Sequence, residues 1–337
     1  MFQHNRRDFL KRTVAGGVLA TFVVSGTKAS GRVLGANDRV RIAVAGINGR
    51  GQSHLRGFGQ MEDVEIQTVP VADGVYMLIG AGGNIGLSVG EDGAFIVDDQ
   101  FAPLTDKINA AIAAVTEREV RFVINTHWHA DHTGGNENYG EAGALIVAHE
   151  NVRERMMVEQ YLEAFNSRTP PAPPAALPVL TFNDEVNFFW NGDNIHVFHV
   201  DPAHTDGDSF VHWVGANVVH TGDVFRTSNT GYPFIDTSTG GRIDGIIAGA
   251  NTIISMSSSA TKIIPGHGEL TDVNAVIQYR DMLSAVRDRV RLMIADGMTR
   301  DQIIRAKPTR DFDPIWGGGT LQPDQWVGIV YDSMTMQ

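Results

Sequence analysis

A chain of 337 residues without a single cysteine has no disulfide framework and no thiolate to offer a metal. Apolar residues at 42% and charged residues at 20% describe a globular protein with ample core rather than a disordered one. The net charge of −12 is carried by the body: residues 1–60 hold ten Lys and Arg against two acidic residues and the remainder seventeen against thirty-seven, which sets general nucleic-acid binding aside.

The basic head begins with Asn5-Arg6-Arg7-Asp8-Phe9-Leu10-Lys11. Twin arginines, the Phe-Leu-Lys that follows and the weakly apolar residues 13–25 resemble a twin-arginine export signal, with Thr27-Lys28-Ala29 as a small-x-small cleavage site. That resemblance implies the twin-arginine export machinery as a partner and a periplasmic or otherwise exported destination. The route carries proteins already folded, which suits one that acquires metal before export. The apolar run is too short and too rich in glycine for stable membrane insertion. Residues 1–35 are expected to be signal and linker.

Residues 36–66 form a separate unit. Residues 39–45 read as a buried parallel strand, Gly46-Ile47-Asn48-Gly49-Arg50-Gly51 opens a helix to about residue 59, and Val64-Glu65-Ile66 starts a second strand. This partial β-α-β unit carries a variant of the dinucleotide fingerprint. Together with the signal, it resembles the N-terminus of exported oxidoreductases of the glucose–fructose oxidoreductase type. No acidic ribose-binding residue and no further α/β repeats follow, so it reads as a truncated fragment.

From residue 67 to 337 a different pattern sets in. Residues 75–79, 85–89 and 94–97 read as short strands joined by Gly-rich turns. Residues 103–115 have helical periodicity, with Leu104, Ile108, Ile112 and Val115 on one face. Residues 120–125 and 144–148 are strands, 151–165 a helix, and 170–178, with five prolines, a loop. Strands follow at 185–189 and 195–199, then a hairpin of 210–214 and 217–220 around Gly215-Ala216. Residues 242–257 are helical, 262–264 a strand and 274–295 a long helix. Two short helices, 299–306 and 325–331, are expected to pack outside the core, with no functional reading. Periodicity alone supports a mixed α and β fold.

The string Thr126-His127-Trp128-His129-Ala130-Asp131-His132-Thr133-Gly134-Gly135 puts three imidazoles and a carboxylate into six residues, just after an apolar strand. Borderline metals such as zinc take these donors. Further candidates stand in turn contexts: His204 in Pro202-Ala203-His204-Thr205-Asp206-Gly207, Asp223 in Thr221-Gly222-Asp223, and His267 in Pro265-Gly266-His267-Gly268. Five His and two Asp suffice for two ions. His149, His196, His199 and His220 lie in or at the end of apolar strands and read as core histidines, and Trp128 as packing. Residues 231–235, Gly-Tyr-Pro-Phe-Ile, read either as a lid or as a surface loop with aromatic anchors.

H-x-H-x-D-H, a lone His, a G-D and a G-H-G, in that order from about residue 69 to beyond 279, resemble the metallo-β-lactamase superfamily of metallohydrolases. The resemblance implies an α+β fold, a four-layer αβ/βα sandwich. It implies His127, His129 and His204 on one metal, Asp131, His132 and His267 on the other, and Asp223 bridging. It further implies two zinc ions, with iron or manganese as substitutes, about 3.5–4 Å apart and sharing a hydroxide that attacks the substrate. Asp131 is the catalytic candidate, orienting that hydroxide. The expected function is hydrolysis of a small ester, thioester, lactone or β-lactam. Asp223 stands where one subclass of β-lactamases has Cys. The all-His/Asp set resembles the hydroxyacylglutathione-hydrolase side, yet the C-terminal segment has no basic glutathione-binding cluster. Two alternatives stay open: an iron- or NAD-dependent oxidoreductase, and a non-catalytic binding protein on the same scaffold.

Overall fold

The computed structural model of the chain describes residues 64–336. The export signal and nearly all of the 36–66 fragment lie outside the described residues. Val64-Glu65-Ile66, expected to start a second strand, is not a strand. The first strand is instead β1 (Gln67–Ala72), which runs antiparallel to β2 (Val75–Ile79) and belongs to the main domain.

The chain continues through β3 (Ile85–Gly90), β4 (Gly93–Val97), α1 (Thr105–Ala113), β5 (Val120–Ile124), α2 (Ala130–Thr133), α3 (Asn136–Glu141), β6 (Leu145–His149) and α4 (Glu150–Met157). A hairpin of β7 (Gln160–Leu162) and β8 (Ser167–Thr169) precedes β9 (Leu180–Phe182), β10 (Glu185–Trp190), β11 (Asp193–His199), β12 (Ser209–Trp213) and β13 (Val218–His220). Then come α5 (Ile243–Met256), β14 (Lys262–Ile264), α6 (Val273–Ala295), α7 (Arg300–Ala306), α8 (Asp313–Trp316) and α9 (Pro323–Thr335).

Strands β1 to β6 and β9 form one sheet in that order, and β10 to β14 a second. Side chains alternate across each strand. On β4, Phe95 and Val97 face the second sheet, while Ala94 and Ile96 face the helices outside. Between the sheets, Phe95 stacks on Phe122 at 4.6 Å between ring centroids and on Trp213 at 5.8 Å, amid Val197, Val211 and Val218. Outside the first sheet, Leu104, Ile108 and Ile112 with Tyr139 of α3 pack on Leu87, Ile96 and Val123. Outside the second, Ile246 and Ile253 of α5 and Val276, Leu283 and Val286 of α6 cover Phe210 and Ile263. Helix, sheet, sheet, helix is the four-layer αβ/βα sandwich. No helix among the described residues is long and apolar enough to cross a membrane.

Two local expectations are corrected, and one strand went unread. The helix expected over 151–165 ends at Met157, because the Gln160 amide donates to the Arg155 carbonyl (2.8 Å) and Val158 is already extended. Beyond it, Gln160, Tyr161 and Leu162 alternate buried, exposed, buried, a period of two that suits β7. The last helix runs over Pro323–Thr335, longer than 325–331. Strand β9, three residues long after the Pro-rich loop, is too short to show a period.

Strands β4, β5, β6 and β9 are parallel, as are β13 and β14. Loops leaving their C-terminal ends gather at one rim of the sandwich, where open α/β sheets commonly bind ligands.

Candidate metal centre

Six of the seven candidate donors sit just past one of these strands, β5, β13 or β14, and His204 follows β11. After β5, Thr126 is fixed by Asp98, which accepts its N–H (2.8 Å) and its hydroxyl (2.7 Å). The same hydroxyl lies 3.0 Å from His127 Nδ1 and accepts its proton, so Nε2 carries the lone pair. That Nε2 is buried and has no hydrogen-bond partner. His129, extended at the start of α2, puts Nε2 3.0 Å from Asp236 Oδ2 and turns Nδ1 inward. His204 Nδ1 donates to the Phe234 carbonyl (2.7 Å), and its Nε2 lies 2.8 Å from His129 Nδ1. One ring nitrogen of each of His127, His129 and His204 thus faces a common point, with the donor atoms within 4.8 Å of one another.

A second group adjoins the first. On the single turn of α2, His132 Nδ1 donates to Asp98 Oδ2 (2.7 Å). Its Nε2 stands 3.4 Å from His267 Nε2 and 3.8 Å from Asp131 Oδ2. Asp131 Oδ2 lies 3.3 Å from His267 Nε2. Asp223 stands between the groups: Oδ1 is 3.2 Å from His132 Nε2, and Oδ2 is 3.3 Å from His267 Nε2 and 3.8 Å from His204 Nε2. All seven candidates are therefore brought together. Asp223 closes onto the β14 loop because Gly266 has no side chain; a Cβ there would fall 2.0 Å from Asp223 Oδ1.

The charges are divided between the groups. Burial pushes the His127 pKa well down, and neighbouring imidazoles push it further. Burial and His129 hold His204 down at about 4. Burial also opposes charge on His132, but the carboxylates of Asp223, Asp98 and Asp131 outweigh it and raise that pKa well above the ordinary value. His267 is likewise raised, Asp223 and Asp131 overcoming burial. Asp223 and Asp131 are held down despite burial, chiefly by His267 and His132 for the first and by His132 for the second.

Four further histidines among the described residues stand apart from the donors. His220 is buried, its Nε2 3.0 Å from the Asn84 carbonyl, and takes no place in either group. Buried His149 stacks at 3.9 Å on His199, which is only partly buried and so is not the core histidine expected. His196 is a correction: it is not core but half-exposed, paired with Glu185 at 2.9 Å. Trp128 is buried packing, with Nε1 donating to Thr239 (3.3 Å). Residues 231–235 are neither lid nor surface loop; Tyr232, Phe234 and Ile235 are buried, and Phe234 stacks on His129 at 5.7 Å.

Sequence reasoning passed over Asp98 and Asp236, which hold the outer nitrogens of His132 and His129. Such partners fix tautomer and ring orientation. Asp98 had a signal, an acid directly after the wholly buried β4. Asp98 also lies close enough to His127 and His132 to count with them as a donor group. Its oxygens, however, are already engaged by Thr126 and His132, so its role is support.

A family model described as the metallo-beta-lactamase superfamily matches residues 78–267, and the chain belongs to that superfamily. It is a hydrolase of the metallo-β-lactamase fold with a His/Asp metal-binding group. Among solved structures, the DIM-1 metallo-beta-lactamase aligns with a TM-score of 0.51 at 20% identity, covering 66% of this chain and 98% of its own. A metallo-beta-lactamase from Pontibacter korlensis aligns at 0.53 and 17% identity, covering 65% of this chain and 99% of its own. TMB-1 aligns at 0.50 and 19%, covering 65% and 97%. At these identities the likeness is one of fold.

Proposed function

We propose that this member of the superfamily works with two metal ions, zinc first among them, and cleaves a small ester, thioester, lactone or β-lactam by direct attack of water. The observation that carries the reading is Asp223, within 3.8 Å of a donor nitrogen from each imidazole group. The residues fit the ions. His127 Nε2 is a buried nitrogen with no protein partner, and His127, His129, His132 and His204 each spend their other nitrogen on a hydrogen bond that aims the free one inward. Neutral imidazole with carboxylate is the donor set of a borderline cation.

His127, His129 and His204 would hold one ion, Asp131, His132 and His267 the other, with Asp223 shared. Bound there, the ions supply a water of lowered pKa and a Lewis acid for the attacked oxygen. Asp131, a third exposed, is the carboxylate able to accept a hydrogen bond from the attacking water and orient it. Phe234 and Trp128 exclude solvent from one side of the imidazoles. With water as the nucleophile, no covalent intermediate forms. The reading is completed by residues 1–35 as an export signal and linker for the twin-arginine route, residues 36–66 as a fragment without function, and residues 67–337 as the periplasmic hydrolase domain.

Mass-spectrometric metal analysis combined with a hydrolysis screen over β-lactams, thioesters, lactones and phosphodiesters tests it. Two zinc ions per chain and turnover of one of the carbonyl classes are expected. One iron per chain with oxygen consumption would replace the reading with an oxidoreductase.

A further inference from the structure

The C-terminal helices lie beyond residue 267, where the family match ends. They nevertheless reach the segment that holds two of the imidazoles. Phe234 accepts through its carbonyl from His204 Nδ1, and two residues on Asp236 pairs with His129 Nε2. The Asp236 N–H also donates to the His204 carbonyl (2.9 Å). The stretch from Pro233 to Asp236 therefore sets the tautomer and direction of both rings.

That stretch is pinned from the tail. Trp326 of α9 is fully buried, its Nε1 donates to the Pro233 carbonyl at 2.7 Å, and its ring stacks on Tyr232 at 4.2 Å with planes 11° apart. The Tyr232 hydroxyl reaches Asp313 at 2.9 Å. Beside Trp326, Gln325 donates to the Ala164 carbonyl (3.0 Å), next to Phe165, whose ring packs on Phe234 at 4.7 Å. Gly231 meets Gly319 so closely that a Cβ on Gly231 would fall 2.4 Å from the Gly319 Cα.

We infer that Trp326 is a positioning residue for the His127–His129–His204 group, acting through the Pro233–Asp236 segment, so that the C-terminal helices are a working part of the metal centre. A buried carbonyl takes a buried donor, and removing the donor leaves that carbonyl unsatisfied and free to shift. The shift is passed to Phe234 and Asp236 along three peptide units, and so to the two rings they hold. This rests on the two-ion reading of the site.

The test is made on the full chain carrying His267→Ala, which disables the other group. Zinc affinity is measured by competition with a chromophoric chelator, with and without Trp326→Phe. Phenylalanine keeps an aromatic ring against Tyr232 and removes the N–H together with part of the indole's volume, a packing loss that the thermal midpoint reads separately. Direct loss of an outer partner costs about 10–100-fold in metal affinity, so a partner one step further out is expected to cost about three- to tenfold. Cobalt bound in the same group should show a shifted visible spectrum. Tyr232→Phe, which cuts the bond to Asp313, should weaken affinity in the same direction. A purely structural contact would lower the thermal midpoint of the metal-free protein and leave affinity and spectrum unchanged; that result would overturn the inference. Failure of the parent His267→Ala chain to bind zinc at all would instead count against the two-ion reading.

Discussion

Gly83 lies against the ring of His132 so closely that a Cβ on it would fall 2.1 Å from Cε1 and 2.5 Å from Nε2. The contact ties the β2–β3 loop to the second donor group. Gln100 holds the loop there, donating to the Gly83 carbonyl at 2.7 Å, and the Gly83 N–H donates to the Asp131 carbonyl at 2.9 Å. Gly83→Ala must therefore push His132 aside or lift the loop. Metal content should fall from two ions toward one per chain, and activity by about 10–100-fold, as for other changes that misalign a ligand. An alanine variant retaining both ions would show that the loop gives way without consequence.

The divided charges make a prediction about protons. In the metal-free protein His127 and His204 have lowered pKa values, so at neutral pH they are already unprotonated and a cation displaces nothing from them. His132 and His267 have raised values, so they keep their protons to higher pH than His127 and His204 do, and a cation must expel those that remain. Acidification from about pH 8 to about pH 6 should thus weaken binding at the second group more steeply than at the first. Titration calorimetry in buffers of different ionisation enthalpy counts the protons. His267→Ala should bind one zinc at neutral pH with little release, whereas the wild type releases more for its second. Greater release from His267→Ala would reverse the assignment.

The same shifts bear on folding. His204 has a folded pKa of about 4, below its unfolded value, so the unfolded chain takes up a proton first as pH falls. Its contribution is to lower the stability of the metal-free protein progressively from about pH 6.5 down to about pH 4. His132, shifted the other way, adds stability that is present below about pH 6.5 and lost as pH rises through its raised value. Replacing His204 by Gln should flatten the acid side of the stability profile in urea unfolding. An unchanged profile would contradict a lowered His204 pKa.

Phe95 carries the contact between the sheets. It is fully buried and stacked on both Phe122 and Trp213. Phe95→Ala should cost about 3–5 kcal/mol in urea unfolding of the metal-free protein. A loss below about 1.5 kcal/mol, the scale of tolerated repacking, would mean that the sheets are held elsewhere.

Residues 1–66 should be dispensable for hydrolysis and required for export. A chain beginning at residue 67 should keep its turnover and remain in the cytoplasm. Stoichiometric NAD binding by the full chain, lost on this deletion, would show a working dinucleotide site and end the fragment reading.

The convergence of the seven candidates was readable because each is a polar residue of ligand type at a turn that follows a strand, a combination that packing alone rarely demands. Most strands of the sandwich between Val75–Ile79 and Lys262–Ile264 were readable as apolar runs bounded by turn residues, whereas Gln67–Ala72 and Leu180–Phe182 were not. What was not readable comes from tertiary proximity. Asp236 lies 107 positions from the His129 it holds, and Trp326 lies 93 from Pro233; no local pattern links such pairs. The helix expected over 151–165 stops at Met157, where the Gln160 side chain donates to the Arg155 carbonyl, a contact that no local pattern announces.

Zinc reconstitution tests the central claim most directly. The protein is stripped with a chelator, and activity on the substrate found in the screen is followed against zinc equivalents per chain. If two ions share Asp223 and act together, activity should be absent without metal and should saturate at about two equivalents. Serine-directed covalent inhibitors should leave the restored activity untouched. Full activity in the exhaustively stripped protein would contradict the two-ion mechanism and place the chemistry elsewhere in the chain.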